Sequence, residues 1–299
     1  MDPLRSLLFV PGNRERMLDK ALTAPADAII IDLEDAVPPA EKKAARRLVR
    51  AWVPRLARAG QRVYVRVNAI DNGQTRDDVQ AAVRKGLAGV VLPKAQTAQD
   101  LRSLDVLLRE AEMTAKIRPG DVRTIPIIES ARGILRCEEI ARASDRIAAL
   151  ALGGEDYTAE LGVARDAGGA ALAYPRGVLI TVATAYGLPA IDAPCTDIRD
   201  AKGLAKETAL ARSMGFKGKF AIHPGQMAAL NRAFAPSRAE IDAARAIVRA
   251  AEAAAADGVG AISLGGRMVD APVAERARRV LAAAEAIRAR RRTLRDAAE

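Results

Sequence analysis

The sequence predicts a closed (β/α)₈ barrel with a C-terminal helical extension that serves as a lid. Eight short apolar runs alternate with helical stretches rich in Ala, Leu and Arg, which is the order of elements in such a barrel. Most of the runs are continuously apolar, as expected of parallel strands buried on both faces. The chain has 299 residues, enough for one barrel of this kind. An open doubly wound sheet is the alternative, but no G-x-G-x-x-G follows the first run.

The predicted strands and helices alternate along the first three quarters of the chain. The strands are expected over residues 7–10, 28–33, 63–67, 89–92, 124–128, 148–152, 190–191 with their neighbours, and 220–222. The helices between them are expected over residues 14–23, 40–59, 76–85, 98–111, 131–143, 176–186 and 201–214. This part, residues 1–225, is the predicted catalytic barrel domain.

Residues 226–299 are predicted to form a separate extension of helix, glycine-rich loop and helix. An Ala-rich helix is expected over 240–256, and a last helix begins near Pro272, a residue type favoured in a first helical turn. Between them lies a flexible, turn-rich segment, and Asp270 is the acidic residue of its glycine-flanked loop. The extension either only caps the barrel or supplies Asp270 as a lid residue.

Composition excludes several classes of function. The net charge of +10 favours anionic partners, although solvated helix faces also explain it. Nucleic-acid binding is disfavoured, because only 3% of residues are aromatic and no zinc-finger spacing occurs. The apolar runs are too short to cross a membrane. The two cysteines, Cys137 and Cys195, form no C-x-x-C motif, which favours a reduced, cytoplasmic setting.

Charged side chains follow the predicted strands, where a barrel of this class places its active site. They are Glu34 and Asp35 after strand two, Arg66 on strand three, Lys94 after strand four, Glu129 after strand five, and Glu155 and Asp156 after strand six. With one histidine in the chain, carboxylates must carry most acid–base and metal chemistry. Such oxygen ligands favour Mg²⁺, with Glu129 and Asp156 as its candidate ligands. Arg66 would bind a carboxylate or a developing oxyanion, which together with a metal suits enolate chemistry.

Eight motifs spread over essentially the whole chain then point to a family. They are LFVPGNR (8–14), IDLEDAVP (31–38), VRVN (65–68), LPK (92–94), PIIES (126–130), GGED (153–156), GKFAIHPGQ (218–226) and GRMVDAP (266–272). In these motifs the sequence resembles the citrate lyase β-subunit-like branch of the HpcH/HpaI aldolase superfamily. That branch includes malyl-CoA and citramalyl-CoA lyases.

The resemblance implies a TIM barrel and a role for each matching residue. Glu129 and Asp156 would hold Mg²⁺ (or Mn²⁺) and so bind the substrate, while Arg66 would meet the thioester oxygen or a substrate carboxylate. Asp270 would be the acid–base residue, delivered by a neighbouring subunit of a trimer or hexamer. CoA would enter as part of the substrate.

Other charged residues receive supporting roles. Arg14, Lys20 and Lys94 are expected to bind CoA phosphates or the substrate carboxylate. Glu34 and Asp35 are expected to orient Arg66 or a water molecule. His223 is expected to be structural.

The implied activity is reversible carbon–carbon cleavage of a 3-hydroxy-3-carboxyacyl-CoA. Citramalyl-CoA would give acetyl-CoA and pyruvate, and malyl-CoA would give acetyl-CoA and glyoxylate. An alternative substrate is a citryl group carried by an acyl carrier protein. An alternative reaction is hydrolysis of the malyl-CoA thioester. Schiff-base chemistry at Lys94 and a basic nucleic-acid-binding protein are the remaining alternatives.

Overall fold

The computed structural model describes residues 3–165 and 169–296, and it contains the predicted barrel. Eight parallel strands close in chain order. They are β1 (Ser6–Pro11), β2 (Ala28–Asp32), β3 (Val63–Arg66), β4 (Leu87–Leu92), β5 (Arg123–Ile128), β6 (Leu150–Leu152), β7 (Ala190–Asp192) and β8 (Gly218–Ala221). Each overlaps a predicted strand, so the (β/α)₈ fold class is confirmed.

Alternation along the strands divides the buried apolar residues into two cores. Ile30 of β2 and Phe220 of β8 belong to the core that fills the barrel, whereas Ile29 and Ile31 pack outward against the helices. Both faces of each strand are therefore buried, and this accounts for the continuous apolar runs.

The helices on the outside of the barrel follow the predicted order. They are α1 (Glu15–Ala21), α2 (Lys42–Arg58), α3 (Thr75–Ala82), α4 (Ala98–Thr114), α5 (Ala131–Leu135), α6 (Cys137–Ala141), α7 (Gly154–Glu160), α8 (Ala170–Ala185), α9 (Ala201–Met214) and α10 (Met227–Ala233). One predicted helix, 131–143, is two short helices that break at Arg136, whose φ of −110° is not helical. Helices α7 and α10 were not predicted; α7 begins within the Gly153-Gly154 pair, and both are only seven residues long.

The C-terminal extension differs from the prediction in its middle. Helix α11 (Arg238–Ala256) begins at a capping box formed by Ser237 and Glu240. The segment expected to be a flexible loop contains an antiparallel pair of strands, β9 (Ile262–Leu264) and β10 (Arg267–Val269). Helix α12 (Ala271–Asp296) follows directly. Strands of three residues carry too little alternation to be recognised in a sequence.

Hydrogen bonds attach the C-terminal part of the chain to the barrel. In α10, the Asn231 side chain accepts from Ser6 Oγ at 2.8 Å. Near the end of α12, Arg290 donates to the Gly60 carbonyl at 2.7 Å. Among the helices described, none is long and apolar enough to cross a membrane.

Candidate active site

A cavity of about 470 Å³ opens at the rim formed by the carboxyl ends of the barrel strands. Its wall combines apolar side chains from β1, β5, β6 and β8 with charged residues, all but Asp32 already named as candidates from the sequence. The charged lining residues are Asp32, Asp35, Arg66, Glu129, Glu155 and Asp156. The structure thus brings the proposed metal ligands and the proposed oxyanion-binding arginine into one cavity.

Arg66, the last residue of β3, is fixed from several sides. Asp32 lies opposite it in the strand register and accepts from its guanidinium at 2.8 and 2.7 Å. Glu34 pairs with another guanidinium nitrogen at 2.8 Å. The Phe9 ring lies beneath the group, 4.8 Å from its central carbon. A planar donor held in this way keeps one orientation toward the cavity.

Burial alone would lower the pKa of Arg66, but the charges and hydrogen bonds of nearby carboxylates, chiefly Asp32, raise it above its usual range. The arginine therefore stays charged. Sequence reasoning placed Asp32 at the end of a strand but gave it no role. Its position opposite Arg66 in adjacent parallel strands is the signal that identifies it.

Glu129 lies buried directly after β5, against the backbone of Gly153. A Cβ atom at Gly153 would overlap both the carboxylate and the Cβ atom of Glu129, so glycine is required there. The other carboxylate oxygen accepts the Lys94 amide at 2.6 Å. Burial, with a further contribution from the nearby Asp156 charge, raises the pKa of Glu129 to about 8.

The rim has more negative than positive charge. Five acidic groups, those of Asp32, Glu34, Asp35, Glu129 and Asp156, surround two cations, Arg66 and Lys94, so negative charge is in excess even when the raised pKa keeps Glu129 protonated. A divalent cation between Glu129 and Asp156 would offset this excess. Mg²⁺ commonly takes only one or two protein carboxylates and completes its shell with water and substrate. Accordingly, the described residues fit such a site although they include no cluster of three or more His, Cys, Asp or Glu ligands.

Lys94 lies beside the carboxylates and is paired with Glu34. Burial would lower the pKa of Lys94, but the hydrogen bond and charge of Glu34 outweigh it and raise that pKa. A Schiff-base lysine needs a lowered pKa and a free amine. The Schiff-base alternative is therefore disfavoured.

Several candidate residues lie away from the cavity. Arg14 precedes α1 and Lys20 is in its last turn, both exposed, and within the described ranges neither lines the cavity. Asp270 accepts from the Val273 amide at 3.1 Å at the start of α12 and does not line the cavity of its own chain. His223 accepts from the Gly225 amide at 3.1 Å, which is a capping contact.

Comparison with known proteins agrees with the fold and identifies the family. Residues 5–224 match the family model described as HpcH/HpaI aldolase/citrate lyase. The chain is 41% identical to citrate lyase subunit beta from Escherichia coli (strain K12) over 94% of this chain and 93% of that protein. It is 36% identical to a (3S)-malyl-CoA thioesterase from Cereibacter sphaeroides (strain KD131) over 96% of both.

Solved structures give the same result. The protein CitE from Mycobacterium tuberculosis, in complex with magnesium, acetoacetate and coenzyme A, superposes with a TM-score of 0.75 at 33% identity. That alignment covers 95% of this chain and 98% of the other. A citrate lyase from Burkholderia xenovorans LB400 superposes with a TM-score of 0.83 at 23% identity over 96% and 93% of the two chains, which supports the fold alone.

Proposed function

The chain belongs to the HpcH/HpaI aldolase/citrate lyase family, and on that premise we propose that it is a Mg²⁺-dependent carbon–carbon lyase. Its substrate would be a 3-hydroxy-3-carboxyacyl-CoA, such as citramalyl-CoA or malyl-CoA. The products would be acetyl-CoA and pyruvate or glyoxylate. Mn²⁺ is the alternative metal.

One observation carries the proposal: the buried Glu129 and the nearby Asp156 share a cavity with a fixed arginine. The relative from M. tuberculosis binds magnesium and coenzyme A, which supports the same ligands here. A divalent cation held by Glu129 and Asp156 would polarise the hydroxyl and carboxylate oxygens of the substrate.

Arg66 would stabilise the charge that appears on the thioester. A base removes the proton of the substrate hydroxyl, the bond between the hydroxyl carbon and the thioester α-carbon breaks, and its electron pair forms a thioester enolate. The guanidinium, held by Asp32, would hydrogen-bond the enolate oxygen. Protonation of the α-carbon then gives acetyl-CoA.

We assign the proton transfer to Asp270 of a neighbouring subunit. In its own chain Asp270 directly precedes α12 and lies outside the cavity, so this role requires another copy to bring it there. The segment before it exposes three apolar side chains, since Val259, Leu264 and Met268 are 46%, 36% and 68% accessible, and such a group is typical of a surface that packs against another molecule. The proposed assembly is a trimer or a hexamer. Arg14 and Lys20 remain predicted CoA contacts.

The test is release of keto acid from a panel of CoA thioesters that includes citramalyl-CoA and malyl-CoA. We expect pyruvate or glyoxylate with Mg²⁺, and none with EDTA. A folded, metal-loaded protein that cleaves no free thioester would contradict the CoA-lyase proposal.

A second candidate is the cleavage of a citryl group carried by an acyl carrier protein. The E. coli relative, named citrate lyase subunit beta, favours it. Citryl-CoA and the citryl-loaded carrier should be compared at equal concentration, since a carrier-dependent enzyme would cleave only the second. Release of free CoA with malate from malyl-CoA would instead indicate the thioesterase activity named for the C. sphaeroides relative.

A further inference from the structure

Lys94 combines an unusual backbone conformation with two polar contacts at the rim. Its φ of +51° is in the left-handed region, and only Lys116 shares this property among the non-glycine residues described. That region is disfavoured for most side chains but tolerated by Gly, Asn and Asp. A strained residue at a functional site suggests that its conformation is needed there.

The left-handed turn directs the Lys94 amide at the proposed metal site. Strand β4 ends at Leu92, and two residues later the Lys94 amide donates to Glu129 Oε1 at 2.6 Å. The opposite side of the same carboxylate packs on Gly153. The amide and the glycine together leave Glu129 little freedom to rotate.

The ammonium group of the same residue makes the second contact. Lys94 Nζ hydrogen-bonds Glu34 Oε1 and lies 3.8 Å from Asp35 and 4.0 Å from Asp156. The other oxygen of Glu34 is 2.8 Å from the Arg66 guanidinium. The side chain is therefore joined through Glu34 to the proposed oxyanion-binding residue.

We propose that Lys94 is a positioning residue with two separable actions: its backbone amide orients Glu129, and its ammonium group orients Arg66 through Glu34. The inference rests on the proposed function and deepens it. It replaces the role in binding CoA or a substrate carboxylate that the sequence suggested for Lys94. An ammonium already paired with carboxylates is poorly placed to bind an anionic ligand.

Two substitutions separate the actions. Lys94→Asn and Lys94→Val both remove the ammonium, but Asn tolerates the left-handed backbone and the β-branched Val does not. Mg²⁺ should be titrated calorimetrically into each substrate-free protein after circular dichroism and thermal unfolding have confirmed its fold. Lys94→Asn should bind Mg²⁺ no more weakly than wild type, because a nearby positive charge is lost. Lys94→Val should bind it roughly 10–100-fold more weakly.

Steady-state kinetics test the positioning role of the Lys94 ammonium group. Both variants should lower kcat by about 10–100-fold, with KM for the thioester within about threefold of wild type, and Lys94→Arg should restore part of the loss. In a Glu34→Gln background, Lys94→Asn should lower kcat little further, because the carboxylate that connects Lys94 to Arg66 is gone.

Three results would overturn the proposal. Equal Mg²⁺ affinity in the Asn and Val variants would exclude the backbone action, and so would a wild-type protein that binds no Mg²⁺. A raised KM with normal kcat would instead identify Lys94 as an anion-binding residue. The Mg²⁺ titration needs no substrate. If the protein binds Mg²⁺ but cleaves no thioester, the proposed reaction is refuted, and the titration of the two variants still decides whether the Lys94 amide orients Glu129.

Discussion

Two clusters of charged residues in the barrel differ in their balance of charge. The first is the rim cluster of five carboxylates, Arg66 and Lys94 described above. The second, the β7–β8 cluster, contains the carboxylates of Glu155, Asp192 and Glu207 and the cations Arg165, Arg176 and Lys219. Three negative charges there meet three positive ones.

The β7–β8 cluster is satisfied by its own members. Asp192 accepts from Arg176 at 2.9 Å and from Lys219 at 2.6 Å, and all three side chains are buried. Burial would raise the pKa of Asp192, but these cations outweigh it and lower that pKa. In the rim cluster, by contrast, burial and Asp156 raise the pKa of Glu129 to about 8. We therefore expect the balanced cluster to act in stability and the unbalanced one to be able to hold an added cation.

The largest effect should come from Glu129→Gln, which removes a proposed metal ligand while keeping the shape of the side chain. Keto-acid release should fall on the order of 10³-fold, since a bound metal supplies several kcal/mol of charge stabilisation. The melting temperature of the metal-free protein should not fall, because the raised pKa of Glu129 already disfavours its charged form and Gln keeps its shape. Glu110→Gln, at an exposed ion pair with Arg76, is the matched control and should keep full activity.

Asp192→Asn should instead lower the stability of the fold. It leaves the buried Arg176 guanidinium without its carboxylate, and breaking a buried pair in this way costs about 3–5 kcal/mol of unfolding free energy. Urea unfolding would measure the loss. A cost below about 1 kcal/mol would show that the β7–β8 cluster does not stabilise the fold as described.

Arg66→Lys should lower kcat by about 10²-fold, because an ammonium cannot replace the planar donor held by Asp32. Steady-state kinetics with saturating Mg²⁺ would measure it. An unchanged kcat together with a raised KM would place Arg66 in substrate binding alone.

The pH dependence of the unfolding free energy should report on the ionisation of Asp192 in the β7–β8 cluster. The pKa of Asp192 is lower in the folded chain than its ordinary value of 3.8, so its contribution is complete above that value and is lost as the pH falls below it. Wild type should therefore lose more unfolding free energy than a still-folded Asp192→Asn variant between about pH 5 and pH 3. Parallel losses in the two proteins would contradict the assignment.

The smallest loss of stability is expected for the control variant, Glu110→Gln. Glu110→Gln breaks an ion pair whose two side chains are 54% and 55% exposed, and such pairs contribute about 0–1 kcal/mol. Thermal unfolding should show almost no change. A loss comparable with that of Asp192→Asn would mean that burial does not distinguish these ion pairs.

The sequence predicted the barrel well because burial on both strand faces leaves long apolar runs. It also placed Arg66, Glu129 and Asp156 at one rim, since each follows or ends a strand. It did not reveal the partners of Asp192, because Arg176 comes from a helix and Lys219 from the next strand, and only packing unites them. A lysine within the short apolar run of β8 was the available signal.

Local backbone geometry was also beyond sequence reasoning. Nothing in the Leu92-Pro93-Lys94 run shows that Lys94 adopts a left-handed conformation, because lysine has no preference for it. Nor does the sequence show that Gly153 is the residue that makes room for Glu129.

Calorimetric titration of Mg²⁺ into wild type, Glu129→Gln and Glu110→Gln tests the proposed metal site most directly. We expect one Mg²⁺ per chain in wild type, the same in Glu110→Gln, and binding weakened by at least about 100-fold in Glu129→Gln. Equal binding in all three proteins would contradict the proposed site, because the excess negative charge of the rim cluster would then not be what holds the metal.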